Sequence, residues 1–398
     1  MSLDLTKVAG QVEGMVTRLK ASGEERQQRL ERALDVLHNS SANLESLRHK
    51  IASSKPTWLV ADLVDGLEQH YQAPTLPAEF TVIATDGSHI DVDRHRSARC
   101  YLLNIGRVVL HYGAQPEASL DSLPHLYAEN EELVVKSGEN GREQPVEGTL
   151  LGIKRSVEEC KRLAELATEQ GAGSPTLAIL DGTLILWGLE AYPEFVSRTL
   201  LEEGFLVYLE QMRKMSQARR LALASYISLP RSADVANTLR VALCPQQIVD
   251  SDRYCPECKT RDCDAVAGVQ DREIFWNLLE PGERSALFIT QSSVVEKHYG
   301  EHRVYFFYLR VDDEIARVEL PQWVAKDDHL LGLAHTLILD QCRRGQGYPV
   351  ALAEAHEQAV VREADRQNFW QLVETSLLGE HLPSPVSHKS FSKKTRWV

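Results

Sequence analysis

The chain has 398 residues, of which 43% are apolar and 25% are charged, a composition typical of a globular protein of two or three domains. No stretch approaches the ~18 consecutive apolar residues of a membrane-spanning helix, and the N-terminus lacks the features of a secretory signal peptide. The net charge of −13 disfavours nonspecific coating of nucleic acid. The seven cysteines, an odd number, argue against a disulfide scaffold and for a reducing compartment. We therefore expect a cytoplasmic protein that does not bind a membrane.

The first seventy residues are predicted to be helical, with many Glu, Arg and Gln on the polar side. Apolar residues recur there at helical spacing: Val8, Val12, Met15 and Leu19, then Leu30, Leu34, Leu37, Leu44, Leu47 and Ile51. Charged amphipathic helices of this kind pack on a neighbour or on a second subunit. A linker containing prolines follows at 72–80. We assign residues 1–75 to a helical N-terminal region.

From Phe80 onward the pattern is that of an α/β domain. A strand runs to Ala84, "RCYLLNIGRVVLHYG" predicts two strands in a hairpin that turns near Gly106, and 115–145 is predicted to be a polar loop. A helix over 148–168, a strand at 177–180, a helix over 193–217 and a strand in "RLALASYISLP" follow. The order β-β-β-α-β-α-β is that of a ribonuclease H-like fold, a mixed sheet with flanking helices, here over 76–385.

Two of the predicted strands run into the same kind of motif, Asp86-Gly87-Ser88 and Asp181-Gly182-Thr183. In a sheet of this order the two strands are parallel neighbours about 4.8 Å apart, so both carboxylates lie where open α/β sheets bind ligands. Carboxylates that close repel each other unless a cation lies between them, and oxygen ligands favour Mg²⁺ or Mn²⁺. An ordinary turn explains either motif alone. Together they predict a metal site, with each glycine allowing a sharp turn and the approach of a phosphate.

The helix between these two strands is expected to supply a third ligand. Its core stripe falls at 3.6-residue spacing and comprises Ile153, Val157, Cys160, Ala164 and Ala167. On a helical wheel Glu159 flanks this stripe, whereas Glu158 points toward solvent with Lys154 and Lys161. Glu159 is therefore the predicted ligand, and Glu158 is the alternative.

Four short motifs, "IATDGS", "LAILDGTL", "ARVELPQW" and "GYPVALAEAH", occur in this order over roughly residues 80 to 360. This ordered set resembles the NurA family of DNA end-processing nucleases. The resemblance assigns the family's catalytic positions to these residues: Asp86, Asp181, Glu158 or Glu159, Tyr348 and His356. His356 would bind the scissile phosphate, join the metal shell or move a proton, and Tyr348 would orient that histidine or contact DNA.

The resemblance implies a metal-dependent deoxyribonuclease with a ribonuclease H-like fold. Such an enzyme would act as an Mn²⁺- or Mg²⁺-dependent 5′→3′ exonuclease on DNA and as an endonuclease on single strands, in repair, recombination or defence. It further implies a homodimer that works with a hexameric HerA-type ATPase. The chain has no Walker A motif, so ATP hydrolysis would belong to the partner.

Two other functions are alternatives to a nuclease. A noncatalytic DNA-binding adaptor subunit of an ATPase complex would keep the fold without the chemistry. The presence of both Asp-Gly motifs, an eligible Glu and the Tyr348/His356 pair argues against it. A transposase- or resolvase-like enzyme of the same fold would more usually carry a late catalytic Glu.

Four of the seven cysteines lie within twenty residues, in an apparent insertion over about 243–266: Cys244, Cys255, Cys258 and Cys263. The C-x₂-C turn offers two thiolates to one tetrahedral ion, a third Cys follows after four residues, and Cys244 is within loop reach. A structural Zn²⁺ is the predicted occupant, and an iron–sulfur cluster is the alternative.

The C-terminal tail, residues 386–398, combines basic and aromatic side chains without an acid. Its DNA-contact candidates are Lys393, Lys394 and Arg396, beside Lys389, Phe391 and Trp397. Such a tail suits a phosphate backbone and stacked bases, although a frayed solubilising tail has the same composition. Arg231, which follows the fifth predicted strand, is the other candidate, because the family often has a basic residue there.

Overall fold

The computed structural model describes residues 4–93, 95–96, 98–138, 141–171 and 173–382. The predicted DNA contacts Lys393, Lys394 and Arg396 lie outside these residues. Within the described ranges no helix has the length and hydropathy needed to cross a membrane.

The helices and strands follow one another in an α/β order. The helices are α1 Leu5–Ala21, α2 Gly23–Ser41, α3 Leu44–Ser53, α4 Thr149–Glu169, α5 Glu194–Ser197, α6 Leu206–Ser216, α7 Asp234–Leu243, α8 Asp271–Leu278, α9 Gln322–Ala325, α10 Asp328–Arg344, α11 Val350–Ala359 and α12 Glu363–Gly379. The strands are β1 Ala61–Leu63, β2 His70–Tyr71, β3 Phe80–Ile90, β4 Tyr101–Tyr112, β5 Glu117–Tyr127, β6 Val134–Lys136, β7 Glu143–Pro145, β8 Thr176–Asp181, β9 Leu221–Ile227, β10 Arg284–Ser285, β11 Phe288–Thr290, β12 Val304–Val311 and β13 Glu314–Pro321.

The chain forms two compact units, and neither is a continuous stretch of sequence. The first combines the described residues up to Gln72 with Ser228–Ser292 and Tyr305–Val318. Its core contains Leu37 of α2 and Ile51 of α3 together with apolar side chains of α7, α8 and the strands β11 and β12. The helices α2 and α3 therefore complete a core within their own chain. By contrast, α1 buries none of its residues.

The second unit is built on a mixed sheet whose strand order is β9-β8-β3-β4-β5. The strands β3, β8 and β9 are parallel, whereas β4 runs antiparallel to both β3 and β5. Helices α4 and α11 both pack on β3 and β4. The predicted α/β class is thus confirmed, as is the parallel pairing of the two strands that carry Asp86 and Asp181.

Two details of the predicted sheet are wrong. β4 is one continuous strand without a turn at Gly106, and the second strand of the hairpin, β5, lies inside the segment predicted to be a polar loop. β5 is the last strand of the sheet path and most of its side chains are exposed. A strand that does not bury one face lacks the alternation of apolar and polar residues from which strands are recognised.

Candidate active site

Asp86 lies in the middle of β3, directly opposite Gly106 of β4. Its Oδ2 is 2.8 Å from Nδ1 of His356, which α11 presents to the strand. Because a carboxylate only accepts hydrogen bonds, Nδ1 carries the proton in this contact and Nε2 is left for another partner. The His356 side chain is 62% exposed and that of Asp86 is 14% exposed. The pair therefore connects a largely buried carboxylate to a group that solvent can reach.

The end of α11 is fixed to the sheet by polar side chains that satisfy its last carbonyl groups. Ser88 Oγ donates to the carbonyl oxygen of Ala359 at 2.5 Å. Asn104 Nδ2 donates to the carbonyls of Gln358 and Ala359 at 3.1 and 2.9 Å. The last carbonyl groups of a helix have no partner within that helix, so these side chains of the sheet cap the C-terminus of α11. This anchoring sets the position of His356 one turn earlier.

Gly106 permits this close approach of α11. A Cβ atom there would lie 2.1 Å from the carbonyl oxygen of Ala355 and 2.8 Å from the backbone nitrogen of Ala359. Both are backbone atoms, which cannot rotate away. The glycine that suggested a turn in the sequence thus marks a site where a helix crosses a strand.

We expect Gly106→Ala to lower the free energy of unfolding by about 1–3 kcal/mol, the usual cost of overpacking. Chemical denaturation followed by circular dichroism measures it. The matched control is Gly152→Ala in α4, where an added Cβ meets nothing within 4 Å. There alanine should stabilise the helix by up to about 1 kcal/mol. Equal stability of the Gly106 variant and the unmodified protein would contradict the described packing of α11.

Asp181 is the last residue of β8, and its side chain is held by Tyr348. The Tyr348 hydroxyl donates to Asp181 Oδ1 at 2.8 Å, and its ring packs edge-on against Tyr226 of β9, with centroids 5.6 Å apart. Burial raises the pKa of Asp181, the Tyr348 hydrogen bond opposes this, and the charge of Asp86 raises it further. Asp86 is therefore close enough to influence the ionisation of Asp181.

Gly182 makes the turn that ends β8. Its φ of +81° lies in the left-handed region, and its N–H donates to the carbonyl of Tyr226 at 2.9 Å. The next residue, Thr183, donates through Oγ1 to Glu319 at 2.7 Å, and the same carboxylate accepts from the N–H of Leu184 at 2.9 Å. Glu319 is 2% exposed, so this buried acid fixes the segment that follows Asp181. The sequence-based prediction missed it, although a Glu inside the apolar run "ARVELPQW" was a usable signal.

Glu159 approaches the aspartates from α4. Its Oε1 is 3.0 Å from Nε of Arg155 but accepts no hydrogen bond from the described part of the chain. Burial raises the pKa of Glu159 to about 8, with Asp86 and Asp181 adding to the rise and Arg155 opposing it. Glu159 is thus a buried acid in the electrostatic field of both aspartates.

Gly87 makes this position of Glu159 possible. It lies within β3 rather than at a turn, and a Cβ there would be 2.6 Å from Glu159 Oε1. Successive side chains of a strand point to opposite faces, so Asp86 faces α11 whereas position 87 faces α4. The expectation that both glycines behind the aspartates form turns is therefore right for Gly182 and wrong for Gly87.

Glu158 faces away from the aspartates and pairs with Lys154, whose Nζ is 2.8 Å from Oε1. Burial acts to raise the pKa of Glu158, but the charge and hydrogen bond of Lys154 lower it overall. The expectation that Glu158 points to solvent is wrong, because the residue is only 8% exposed. Burial raises the pKa of Tyr127 on β5, and the charge of Glu158 raises it further.

The side chains of this site do not form a ready coordination sphere. Within the residues that the structure describes, no group of three or more His, Cys, Asp or Glu is positioned so that it could hold a metal ion. The donor set nevertheless suits a hard divalent cation: it consists of carboxylate oxygens, two of the acids have raised pKa values, and one buried oxygen lacks a hydrogen bond.

The remaining predicted residues lie in the first unit. Arg231 is exposed in the segment before α7. Cys244, Cys255, Cys258 and Cys263 line one cavity and carry free thiols.

Comparison with known proteins gave one sequence family and a remote structural likeness. A family model described as the NurA domain matches residues 80–361. A crystal structure of the NurA nuclease from Sulfolobus solfataricus aligns over 96% of this chain and 98% of its own, with 13% sequence identity and a TM-score of 0.49. No curated protein sequence matches the chain.

Proposed function

The chain belongs to the NurA family, and from this premise we propose that it is a metal-dependent DNA nuclease with its active site at Asp86, Glu159 and Asp181. The observation that carries the proposal is the buried Glu159, with an oxygen that accepts no hydrogen bond from the described residues and a pKa raised to about 8. A buried acid in the electrostatic field of two aspartates, in a family of this kind, is expected to bind a cation rather than to stabilise the fold.

A bound Mn²⁺ or Mg²⁺ would neutralise charge on the phosphate and make water a better nucleophile. Asp86 and Asp181 offer their carboxylates from neighbouring parallel strands, and Glu159 does so from α4. Burial raises the pKa of Tyr348 well above its ordinary value, so Tyr348 keeps its proton. Its hydroxyl therefore acts only as a hydrogen-bond donor, which orients Asp181.

His356 is assigned the proton transfer. Its Nδ1–H donates to Asp86, which fixes the ring. When the ring is doubly protonated, Nε2 also carries a proton, which it can donate to the departing oxygen or to a phosphate oxygen. Its largely exposed side chain allows DNA to reach it.

We further propose that the sheet is of the ribonuclease H-like type, because its order places β3 between β8 and β4 with β5 outside them. The 5′→3′ exonuclease and single-strand endonuclease activities and the preference for Mn²⁺ are proposed from the family resemblance. DNA end processing is proposed from the same resemblance, and a cytoplasmic location is proposed from the cysteine content of the chain.

The test is cleavage of end-labelled single- and double-stranded DNA by the full chain with Mn²⁺, with Mg²⁺ and with EDTA. We expect cleavage with either ion, a shortening pattern that starts at 5′ ends, and none with EDTA. Cleavage that persists in EDTA would exclude the metal-dependent mechanism, and an absence of cleavage with all divalent ions would favour the noncatalytic adaptor.

Homodimerisation and a HerA-type ATPase partner are also proposed, with α1 as the contact. This helix buries none of its residues and exposes Leu5, Val12, Met15 and Leu19. Their spacings of seven, three and four residues are those of a helix that pairs with another helix.

We expect deletion of residues 1–21 to abolish assembly with the ATPase, measured by light scattering, while the melting temperature changes little. The deletion must stop before α2, because Leu37 and Ile51 belong to the core of the first unit. Val12→Asp in the full chain is the matched point variant. Unchanged assembly in both variants would contradict this role of α1.

A further inference from the structure

The four clustered cysteines surround one cavity of about 210 Å³ in the first unit. They come from three places: Cys244 directly follows α7, Cys255 and Cys258 bound a short 3₁₀ turn, and Cys263 lies in a second such turn. All four are half-buried and none forms a disulfide, whereas Cys100, Cys160 and Cys342 are fully buried elsewhere. Residues separated by up to twenty positions thus direct thiols to a common space.

The turn around Cys258 keeps this residue beside Cys255. The N–H of Cys258 donates to the carbonyl of Cys255 at 3.3 Å. Beyond it, Thr260 Oγ1 lies 3.9 Å from the Cys258 sulfur. Arg261 adopts a left-handed conformation with φ of +47°, which is uncommon for a residue with a side chain. The chain is therefore bent sharply between Cys258 and Cys263, and both thiols line the same cavity.

Two cationic side chains hold the backbone at two of the cysteines. Lys50 Nζ donates to the carbonyl of Cys244 at 2.6 Å, and Arg240 Nε donates to the carbonyl of Cys263 at 3.3 Å. The Arg240 guanidinium also stacks on Trp58, 3.9 Å from the ring centre, and pairs with Asp264 at 3.3 Å. These contacts fix the backbone of Cys244 and Cys263 beside the cavity.

We propose that Cys244, Cys255, Cys258 and Cys263 bind one structural Zn²⁺ that ties the end of α7 to the two turns. The site serves the first unit and does not depend on the proposed nuclease activity. As described, no three of these thiols are positioned to hold an ion, so binding draws them to the Zn–S distance of about 2.3 Å. Metal binding then contributes directly to the stability of this unit.

The experiment is elemental analysis of the full-length protein, purified without chelators or a metal-affinity tag. We expect about one zinc per chain in the unmodified protein. Cys258→Ser should lose the zinc, whereas Cys100→Ala and Asp86→Asn should retain it. X-ray absorption at the zinc edge of the unmodified protein should show four sulfur neighbours at about 2.3 Å, a result that does not depend on the folding of any variant.

A chelator strong enough to remove zinc should also lower the melting temperature of the unmodified protein but not that of Cys258→Ser. Protein without zinc, zinc retained by Cys258→Ser, or oxygen and nitrogen neighbours would overturn the proposal. Iron with a visible chromophore would overturn it in favour of an iron–sulfur cluster.

Discussion

Asp86→Asn and Asp181→Asn should each reduce DNA cleavage by about 10³-fold or more while the protein stays folded. A catalytic cation contributes several kcal/mol to transition-state stabilisation, and each 1.4 kcal/mol corresponds to a factor of ten in rate. Asparagine is a neutral and poorer ligand than aspartate. Its Oδ1 can still accept the hydrogen bond from His356 or from Tyr348, so the local structure should persist. Single-turnover cleavage of end-labelled DNA in Mn²⁺ measures the loss.

The matched control is Asp328→Asn, an exposed aspartate at the start of α10 in the same unit. This variant should cleave DNA at the rate of the unmodified protein, because the substitution removes one surface charge from a residue with no proposed role as a ligand. Circular dichroism and melting curves must agree among the three variants. Undiminished cleavage by the Asp86 variant would remove the metal site from the mechanism.

The arrangement of the two aspartates was predictable from the sequence because it depends on strand order alone. The predicted strand order places the two strands that carry the aspartates side by side and parallel, so that corresponding residues of the two strands are neighbours. The structure pairs Thr85 of β3 with Leu180 of β8, the residues directly before Asp86 and Asp181. The neighbouring positions of the two aspartates therefore followed from local pattern and connectivity.

The functions of the glycines were not predictable in the same way. Gly106 and Gly87 are required by helices that approach from residues far along the chain, α11 and α4. A glycine between apolar residues gives the same local pattern whether the chain reverses there or another element crosses it. Only the tertiary structure separates these two explanations.

For the acidic residues, too, the local pattern predicted some features, whereas others depend on tertiary contacts. The helical wheel distinguished Glu159 from Glu158 because both lie on one helix of regular period. It did not predict that Glu158 is buried, since that depends on neighbours outside α4. Glu319 was missed because its partner Thr183 is 136 residues away in the sequence. Contacts of that separation leave no periodic signal.

Glu159→Gln should reduce cleavage strongly and should also change how stability depends on pH. In the folded protein the pKa of Glu159 is about 8, above its ordinary value of 4.5, so the folded state keeps a proton that the unfolded chain releases. Stability in EDTA should therefore decrease as pH rises from about 5 to about 8, because the unfolded state binds fewer protons over this range. Glutamine does not ionise, so the stability of the Glu159→Gln variant should decrease less over this pH range. Melting curves at a series of pH values measure it.

Stabilisation by Mn²⁺ is a second measurement that tests Glu159. The matched control is Glu158→Gln on the same helix. At about pH 8 Mn²⁺ should raise the melting temperature of the unmodified protein and release protons, because the ion requires the ionised acids. Glu159→Gln should lose most of this stabilisation. Glu158→Gln should keep it and retain cleavage, although loss of the ion pair with Lys154 should lower its overall stability. Equal loss of cleavage in the two variants, or loss in Glu158→Gln alone, would show that the third ligand is not Glu159, since only one of these neighbouring acids lies within the field of both aspartates.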